Sequence, residues 1–447
     1  MIQKKDLLEY FFKGIKRKDS LKIGVEHEKF ALNRKTYKPL SFDETCGINN
    51  IFDQLINLGW SPIKEGNPEK TIALKRNSEF ITLEPGGQIE LSGAPLYNIH
   101  QTCSETTNHL NELKKISDNN NFILLGIGVE PNLSLDDFPW MPKDRYSIMK
   151  NYMPKVGTLG HHMMKRSCTS QVNFDYFSEE DMINKFRVLL NFESVGTAIF
   201  ANSPFDEGKP SKYKSLRSHF WHHTDKDRTG IISFVFDKNF NFETYIDYAL
   251  NVPMYFIKRN NQYIDMTGLT FNEFLKGKKN KTNNFFEPKL KDWVDHLSTL
   301  FPQVRLKQYL ELRSMDACSW KEICSPAAFW TGIIYDDTSL KTSLRLMKDW
   351  TNEERSFLNL NVPENGLNTK FRDKILLDIA RELLEISEEG LKRRNKLSTN
   401  KKYDETYYLL GIKDNIANGM SPADILLEKY YGDWNESVDK IYKDLIF

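Results

Sequence analysis

The sequence predicts an α+β fold with a mostly antiparallel sheet, flanking helices and a helical C-terminal region. Strand-like and helical segments are mixed over residues 20–337, without the strict β-α-β rhythm that is typical of a parallel sheet. From about residue 338 onward, apolar residues recur at helical spacing instead. We therefore expect one catalytic unit with a core over residues 1–337 and a helical region over residues 338–447 that packs on it.

Individual elements follow from local patterns. Alternation or apolar content predicts six strands, at residues 22–32, 88–91, 122–127, 170–177, 231–236 and 307–314. Apolar residues at helical spacing predict helices at residues 102–117, 179–191, 247–254 and 369–396. A serine cap followed by proline at Ser421-Pro422 predicts the start of a last helix that ends at Tyr431.

The bulk composition argues against two classes of partner. The 447 residues include 62 Lys and Arg against 61 Asp and Glu, so the chain lacks the basic field that favours nonspecific nucleic-acid binding. No apolar stretch approaches the roughly 18–20 residues of a membrane span. The first residues mix acids and bases without the apolar centre of a signal peptide, which predicts a cytoplasmic protein. Five cysteines without a C-x-x-C pair give no signal for a zinc site.

Four of the predicted strands carry a polar stripe on one face, because residues two apart in a strand point the same way. The stripes are Glu26 and Glu28 in I-G-V-E-H-E-K-F, Gln88 and Glu90 in P-G-G-Q-I-E-L-S, Gln171, Asn173 and Asp175 in S-Q-V-N-F-D, and Tyr309, Glu311 and Arg313 in Y-L-E-L-R. For any one strand, a solvent-facing stripe is the better interpretation.

Taken together, the stripes favour a cavity, since they are rich in Glu, Gln, Asn and Arg and poor in Lys and Thr. Carboxylates that converge in a cavity repel one another and require a cation or arginines nearby. Carboxylate and amide oxygens suit Mg²⁺, which is usually shared with substrate phosphates. The sequence therefore predicts an oxygen-ligated magnesium site.

Four arginines in predicted loops supply fixed positive charge: Arg145, Arg166, Arg217 and Arg228. Arginine grips carboxylate or phosphate with two parallel hydrogen bonds, although each of these arginines could equally form a structural ion pair. Metal-binding carboxylates together with anion-binding arginines suggest phosphoryl transfer from a nucleotide to a carboxylate. No Walker loop, dinucleotide-binding glycine pattern or H-E-x-x-H motif is present.

The histidine-rich string S-H-F-W-H-H-T-D offers a competing interpretation. His219 and His223 have the helical i, i+4 spacing of a zinc-binding pair. Clustered histidines without a second motif are more often surface or hydrogen-bonding residues, so we expect no zinc here.

Several long strings of this chain resemble the plant and proteobacterial type of glutamate–cysteine ligase. They are I-G-V-E-H-E-K-F, E-P-G-G-Q-I-E-L-S-G-A-P-L, M-P-K-D-R-Y-S-I-M-K-N-Y-M-P-K-V-G, F-A-N-S-P-F-D-E-G-K-P, T-D-K-D-R-T-G and R-L-K-Q-Y-L-E-L-R. The resemblance covers residues 21–439. It implies a glutamine-synthetase-like sheet and ATP-dependent ligation of the glutamate γ-carboxyl to the cysteine amine, the first step of glutathione biosynthesis.

The resemblance also implies roles for individual residues. Two or three Mg²⁺ ions would be held by Glu26, Glu28, Glu90 and Glu311. Arg313 and Arg166 would act on the transferred phosphoryl group, and Arg217, Arg145, Gln171 and Asn173 would bind substrate. L-glutamate, L-cysteine and ATP would be the partners, and the chain would be a monomer or a redox-linked homodimer.

Cys103 and Cys324 match the two cysteines that form a regulatory disulfide in the plant enzymes, so the resemblance implies that they pair. A cytosolic chain normally keeps its thiols reduced, so redox regulation is a hypothesis. Two other functions stay open at this point: a ligase that joins glutamate to an amine other than cysteine, and a non-catalytic protein that keeps the fold.

Overall fold

A computed structural model describes residues 2–447. Its strands are, in chain order, β1 Ile23–Asn33, β2 Ser61–Glu65, β3 Lys70–Arg76, β4 Glu79–Leu83, β5 Ile89–Ser92, β6 Phe122–Leu125, β7 Thr169–Phe174, β8 Phe205–Asp206, β9 Lys209–Pro210, β10 Thr229–Gly230, β11 Phe256–Arg259, β12 Gln262–Asp265, β13 Phe301–Pro302, β14 Val304–Leu306, β15 Leu310–Asp316, β16 Lys370–Phe371 and β17 Lys374–Ile375.

The α-helices surround these strands and make up most of the C-terminal part. They are α1 Lys4–Phe12, α2 Ile48–Asn57, α3 Ile99–Asn120, α4 Asp144–Val156, α5 Gly160–Arg166, α6 Glu179–Ile199, α7 Leu216–His222, α8 Phe242–Asn251, α9 Phe271–Leu275, α10 Leu290–Ser298, α11 Ser325–Ile334, α12 Asp337–Leu346, α13 Asn352–Asn365, α14 Leu376–Arg394, α15 Leu410–Ala417, α16 Pro422–Tyr431 and α17 Ile441–Asp444.

One antiparallel sheet of nine strands organises the molecule. Its order is β14-β15-β7-β1-β5-β4-β3-β2, and β6 pairs with the far end of β1. The 11-residue strand β1 is central, because it pairs with β7 on one side and with β5 on the other. The expected α+β fold with a mostly antiparallel sheet is therefore confirmed.

The core lies on the side of the sheet where the apolar residues of each strand point. Val172 and Phe174 from β7 and Leu312 from β15 join a large buried cluster that includes residues of α6, α11 and α14. Helix α6 is buried along nearly its whole length, since it lies between the sheet and the C-terminal helices. These helices close one face of the sheet and leave the polar stripes on the other.

Sequence patterns located five strands of the main sheet and five helices but missed most of the shorter elements. The helix predicted at residues 369–396 begins only at Leu376, because the strands β16 and β17 precede it. The predicted strand at residues 231–236 is wrong: its apolar residues form a 3-10 turn, Ser233–Phe236, whose Val235 packs in the core. The strands β2, β3 and β4 were not predicted, because their charged and apolar residues do not alternate cleanly. The helix predicted after Ser421 is α16, which starts at Pro422 with Ser421 as its cap and ends at Tyr431 as expected. It is not the last helix, because the short helix α17 follows it.

A disulfide joins two distant parts of the chain. Cys103 in α3 is bonded to Cys324, the residue before α11, with 5.5 Å between the Cα atoms and 221 residues between them in sequence. Both cysteines are partly exposed. Because the bond lies within one chain, it does not itself link two copies of the protein.

No helix within residues 2–447 is long and apolar enough to cross a membrane.

Loss of the disulfide should destabilise the protein, because a cross-link over so long a loop restricts the unfolded chain. Cys103→Ser should lower the free energy of unfolding by about 2–5 kcal/mol, as measured by urea denaturation under non-reducing conditions. Cys46→Ser, which changes an exposed free cysteine, is the matched control and should leave the value unchanged. Equal stability of the Cys103→Ser variant and the wild type would contradict this prediction.

Candidate active site

The strand register brings the predicted polar stripes together on the open face of the sheet. Glu28 in β1 lies opposite Glu90 in β5, and Glu26 in β1 lies opposite Gln171 in β7. Farther along, Asn173 in β7 lies opposite Glu311 in β15. Directly paired residues share a face of a sheet, so these side chains from four neighbouring strands point into the same space.

Three of the carboxylates on this face have polar neighbours but no ion-pair partner within the described chain. Glu26 accepts a hydrogen bond from the amide nitrogen of Asn173 at 2.9 Å, and Glu28 accepts one from the backbone N–H of Thr169 at 2.8 Å. Glu90 accepts hydrogen bonds from the hydroxyls of Thr82 and Ser92. These contacts hold the carboxylates in place without neutralising them.

Because no cation among the described residues pairs with Glu26, Glu28 or Glu90, the pKa values of these three carboxylates are raised. Burial, followed by repulsion from Glu311 and Glu90, raises the pKa of Glu26 to about 8. Burial and the nearby carboxylate of Glu84 raise the pKa values of Glu28 and Glu90 as well. Close carboxylates that all ionise are costly, so a cation at this face would be strongly favoured.

Glu311 is in the opposite situation, because cations surround it. Its carboxylate lies 2.5 Å from Arg305, 2.8 Å from Lys307 and 2.5 Å from Arg313. Burial alone would raise the pKa of Glu311, but Arg305, Lys307 and Arg313 outweigh burial and hold that pKa well below its usual range. Arg313 also donates to the side-chain oxygen of Gln171 at 2.8 Å, which fixes its guanidinium above the sheet.

Arg217 is positioned from the start of α7 by a buried network around Asp316. Asp316 accepts hydrogen bonds from the backbone N–H of Asn202 and from the hydroxyls of Ser203 and Ser215. The Ser203 hydroxyl in turn accepts the backbone N–H of Arg217. The Arg217 side chain donates to the backbone carbonyls of Arg313 and Ser314, at 2.8 and 3.2 Å, and its Nε is buried without a partner.

Two cavities open on this face of the sheet, and Ser298 lines both. The smaller, of about 110 Å³, is lined by Glu28 and Glu84 and by the arginines Arg145, Arg217 and Arg313. The larger, of about 760 Å³, is lined by Glu26, Asn173, Lys307, Tyr309 and the turn that follows β5. The carboxylates Glu26 and Glu28 therefore face one cavity each from the same strand.

The other predicted arginines differ in their placement. Arg145 in α4 lines the smaller cavity with its Nε buried and unpartnered. Arg166 lines neither cavity; it is fully buried and donates to Asp206 at 2.7 Å, so this geometry does not favour its expected catalytic role. Arg228 is also structural, because it pairs with Asp225 and lies over the ring of Tyr255.

The residues present fit a magnesium site in their chemistry, although they are not gathered into one. Among residues 2–447, no group of three or more Asp, Glu, His or Cys side chains is placed closely enough to hold a metal ion. The donors are nevertheless carboxylates with raised pKa values, and the side-chain oxygen of Asn173 beside Glu26 is buried without a partner. Such oxygen donors are the ligands that Mg²⁺ prefers. His219 instead stacks on Tyr213, which gives no support to a zinc site.

Sequence reasoning missed three charged residues of this face: Glu84, Arg305 and Lys307. Arg305 lies directly opposite Glu311 in the β14–β15 pair, and Lys307 follows two residues later. Arg305, Lys307 and Glu311 are separated by even numbers of residues, and this strand-like spacing could have indicated that their side chains share a face. Glu84 gave no such signal, because it lies in the tight turn between β4 and β5 and not within a strand.

Comparison with known proteins decides the family. The model of the family "Glutamate-cysteine ligase family 2(GCS2)" matches residues 22–444. The chain belongs to glutamate–cysteine ligase family 2. Members of this family join glutamate to cysteine, the first step of glutathione biosynthesis, and the chain is an enzyme of this kind.

Curated relatives agree with the family. The glutamate–cysteine ligase of Arabidopsis thaliana is 47% identical over 446 residues, which cover 100% of this chain and 83% of the relative. The glutamate–cysteine ligase B of Oryza sativa subsp. japonica is also 47% identical, with 100% and 88% covered. A solved glutamate–cysteine ligase from Francisella tularensis, in complex with AMP, has a TM-score of 0.55 at 14% identity, covering 96% of this chain and 88% of that one. The last likeness shows a shared fold.

The prediction of a cytoplasmic location is wrong. The curated relatives from Arabidopsis thaliana, Oryza sativa and Nicotiana tabacum are all named chloroplastic enzymes, and these names contradict the predicted location.

The raised pKa of Glu26 predicts an unusual stability change on mutation. A carboxyl whose pKa is higher in the folded state lowers the free energy of unfolding as pH rises from about 4.5 toward about 8. Without Mg²⁺, Glu26→Gln should therefore raise the free energy of unfolding near pH 8 by roughly 1–3 kcal/mol, with little effect near pH 4.5. Urea denaturation in EDTA at both pH values measures this difference.

The matched control for Glu26→Gln is Glu364→Gln, which changes an exposed glutamate and should be neutral at both pH values. A Glu26→Gln variant that is less stable than the wild type near pH 8 would contradict the repulsion argument.

Asp316 should be essential for the position of Arg217. Asp316→Ala leaves the hydroxyls of Ser203 and Ser215 without their buried acceptor, so we expect a loss of roughly 2–4 kcal/mol of stability and at least about a tenfold higher KM for glutamate. Ser387→Ala, at another buried hydroxyl far from the site, is the control for stability alone. An unchanged KM in Asp316→Ala would show that Arg217 does not depend on this network.

Proposed function

We propose that Glu26, Glu28, Glu90 and Glu311 hold two or three Mg²⁺ ions and that ATP and glutamate meet over them. The observation that supports this most is the set of raised pKa values on one face of the sheet, next to the unpartnered oxygen of Asn173. Bound Mg²⁺ would neutralise these carboxylates and the charge on ATP phosphates. Glu311 would join only if its oxygens were shared with Arg305, Lys307 and Arg313.

The two cavities suggest where each substrate binds. The larger one has the volume that a nucleotide requires, and Lys307 at its inner wall can contact a phosphate. The smaller one has three arginines and suits the two carboxylates of glutamate. Because Arg217 and Arg145 each keep a buried, unpartnered Nε–H, we propose that they bind the glutamate carboxylates.

This placement supports a two-step reaction. A carboxylate is a poor electrophile, so its γ-oxygen first takes the terminal phosphoryl group of ATP, and ADP leaves. The cysteine amine then attacks the carbonyl carbon of the acyl phosphate, a C–N bond forms, phosphate departs with the C–O electron pair, and the amine loses a proton. Arg313, held between Glu311 and Gln171, would stabilise the charge on the moving phosphoryl group.

We propose that the whole chain works as one catalytic unit, as the sequence suggests, with residues 338–447 supporting residues 1–337. Helix α14 lies against α11, where Gly332 and Gly390 allow the two backbones to approach closely. The final residue, Phe447, donates its N–H to Leu124 in β6. The C-terminal region therefore contacts both the sheet and its buttressing helices. Whether the enzyme acts as a monomer or a redox-linked homodimer stays a prediction.

Arg313→Lys tests this assignment, because lysine keeps the charge but loses the planar group that bridges Glu311 and Gln171. We expect kcat to fall at least about 100-fold, with KM for ATP changed much less. The assay is ADP release with glutamate, cysteine or Mg²⁺ omitted in turn. Arg17→Lys, at an exposed arginine, is the control. Full activity of Arg313→Lys would rule out the proposed role.

A further inference from the structure

A half-buried carboxylate next to the larger cavity, Glu105, has no role in the site described so far. Glu105 lies in α3, and its Oε1 accepts the backbone N–H of Ala94 at 2.9 Å. Its Oε2 is buried and has no hydrogen-bond partner within the described chain. Burial raises the pKa of Glu105 to about 7. A carboxylate with one hydrogen bond in such a place is costly, so a gain elsewhere must offset it.

The residues that Glu105 contacts form the rim of the larger cavity. Gly93 and Pro95 line this cavity together with Ser92, whose hydroxyl donates to Glu90. Glu105 approaches Gly93 so closely that a Cβ there would lie 2.3 Å from its Oε2, so a residue with a side chain does not fit unless one of them moves. Gly93 and Leu96 also donate backbone hydrogen bonds to Val25 and Ile23 in β1, and between these two points Glu105 fixes the turn at Ala94.

The same helix carries one half of the disulfide. Cys103 is two residues before Glu105, so the two side chains leave α3 in nearly opposite directions, one toward Cys324 and one toward the turn. A second anchor holds the first turn of α3, because the N–H of Ile99 donates to Glu405 at 2.8 Å. The disulfide is thus one of several links that fix α3, and Glu105 connects this helix directly to the rim of the larger cavity.

We propose that Glu105 is a positioning residue that fixes the turn at Gly93–Pro95 for nucleotide binding and links this turn to the Cys103–Cys324 disulfide. This inference rests on the proposed function, because it requires the larger cavity to bind the nucleotide. Glu105 contacts neither substrate, and its effect reaches the nucleotide only through the backbone of the turn.

The test is equilibrium binding of a non-hydrolysable ATP analogue with Mg²⁺, measured by titration calorimetry without thiols. The oxidised wild type is compared with Glu105→Ala, Glu105→Asp and Glu105→Gln. Aspartate keeps the charge but is too short to reach Ala94, whereas glutamine loses the charge but keeps an acceptor. We expect Ala and Asp to raise Kd about tenfold and Gln to stay within about twofold of the wild type. If glutamine weakens binding as much as alanine, or if Asp and Ala both bind like the wild type, the proposal is overturned.

Asp118→Ala is the matched control on the same helix. It removes an exposed ion pair with Arg34 at 3.3 Å near the far end of α3, so it should leave Kd unchanged. If Asp118→Ala raises Kd as much as Glu105→Ala, general loosening of α3 explains the effect and the proposal fails. If Glu105→Ala does not fold, Glu105→Asp and Glu105→Gln still show whether nucleotide binding depends on the hydrogen bond to Ala94 or on the negative charge of Glu105.

Coupling to the disulfide is tested by a double-mutant cycle. Cys103→Ser should raise Kd about threefold in the wild-type background, because Glu405 still holds α3, and less than about 1.5-fold in the Glu105→Ala background. An equal factor in both backgrounds would overturn the link. Thiol labelling confirms the starting state, since the oxidised wild type should expose Cys46 alone among its free cysteines.

The same titrations distinguish a failure of the proposed nucleotide site from a failure of the proposed role of Glu105. A wild type that does not bind the analogue overturns both. A wild type that binds it, with Kd unaffected by Glu105→Ala and Glu105→Asp, overturns the inference alone.

Discussion

Repulsion among carboxylates on one face of the sheet is the interaction on which the rest of the structure depends. Glu26, Glu28 and Glu90 are held by hydrogen bonds from Asn173, Thr169, Thr82 and Ser92, none of which carries a compensating charge. The backbone pairing of the strands fixes their spacing, so the side chains cannot simply move apart. The fold tolerates this arrangement because helices on the other face bury a large apolar core.

The surrounding charges divide the face into two environments. Around Glu311, three cations outnumber the single carboxylate and leave positive charge beside the larger cavity. Around Glu26 and Glu28, negative charge dominates. A reaction that moves a phosphoryl group from a nucleotide to a carboxylate needs both environments within a few ångströms, and neighbouring strands of one sheet supply them.

Sequence patterns predicted the fold class and the shared face of this site, because both depend on the two-residue period of strands. The period placed Glu26, Glu28, Gln171, Asn173 and Glu311 correctly on one face, as the register shows. It could not show that Arg166 turns toward Asp206, since that contact depends on the path of the chain after α5.

Two further features depend on tertiary contacts that leave no local signature. Glu84 comes from a turn between strands, and Glu105 meets Gly93 because α3 packs against the turn that follows β5. The pairing of Cys103 with Cys324 was likewise implied only by family resemblance, because 221 residues separate the two cysteines. Local sequence patterns cannot predict such contacts, because the residues involved are far apart in the sequence.

Crystals of the protein soaked with Mn²⁺ and a non-hydrolysable ATP analogue would test the central claim most directly. We expect anomalous peaks on the open face of the sheet, within about 2–2.6 Å of carboxylate oxygens of Glu26, Glu28 and Glu90 and next to the phosphates of the nucleotide. Nucleotide bound in the larger cavity with no metal near these carboxylates, or metal bound elsewhere, would contradict it.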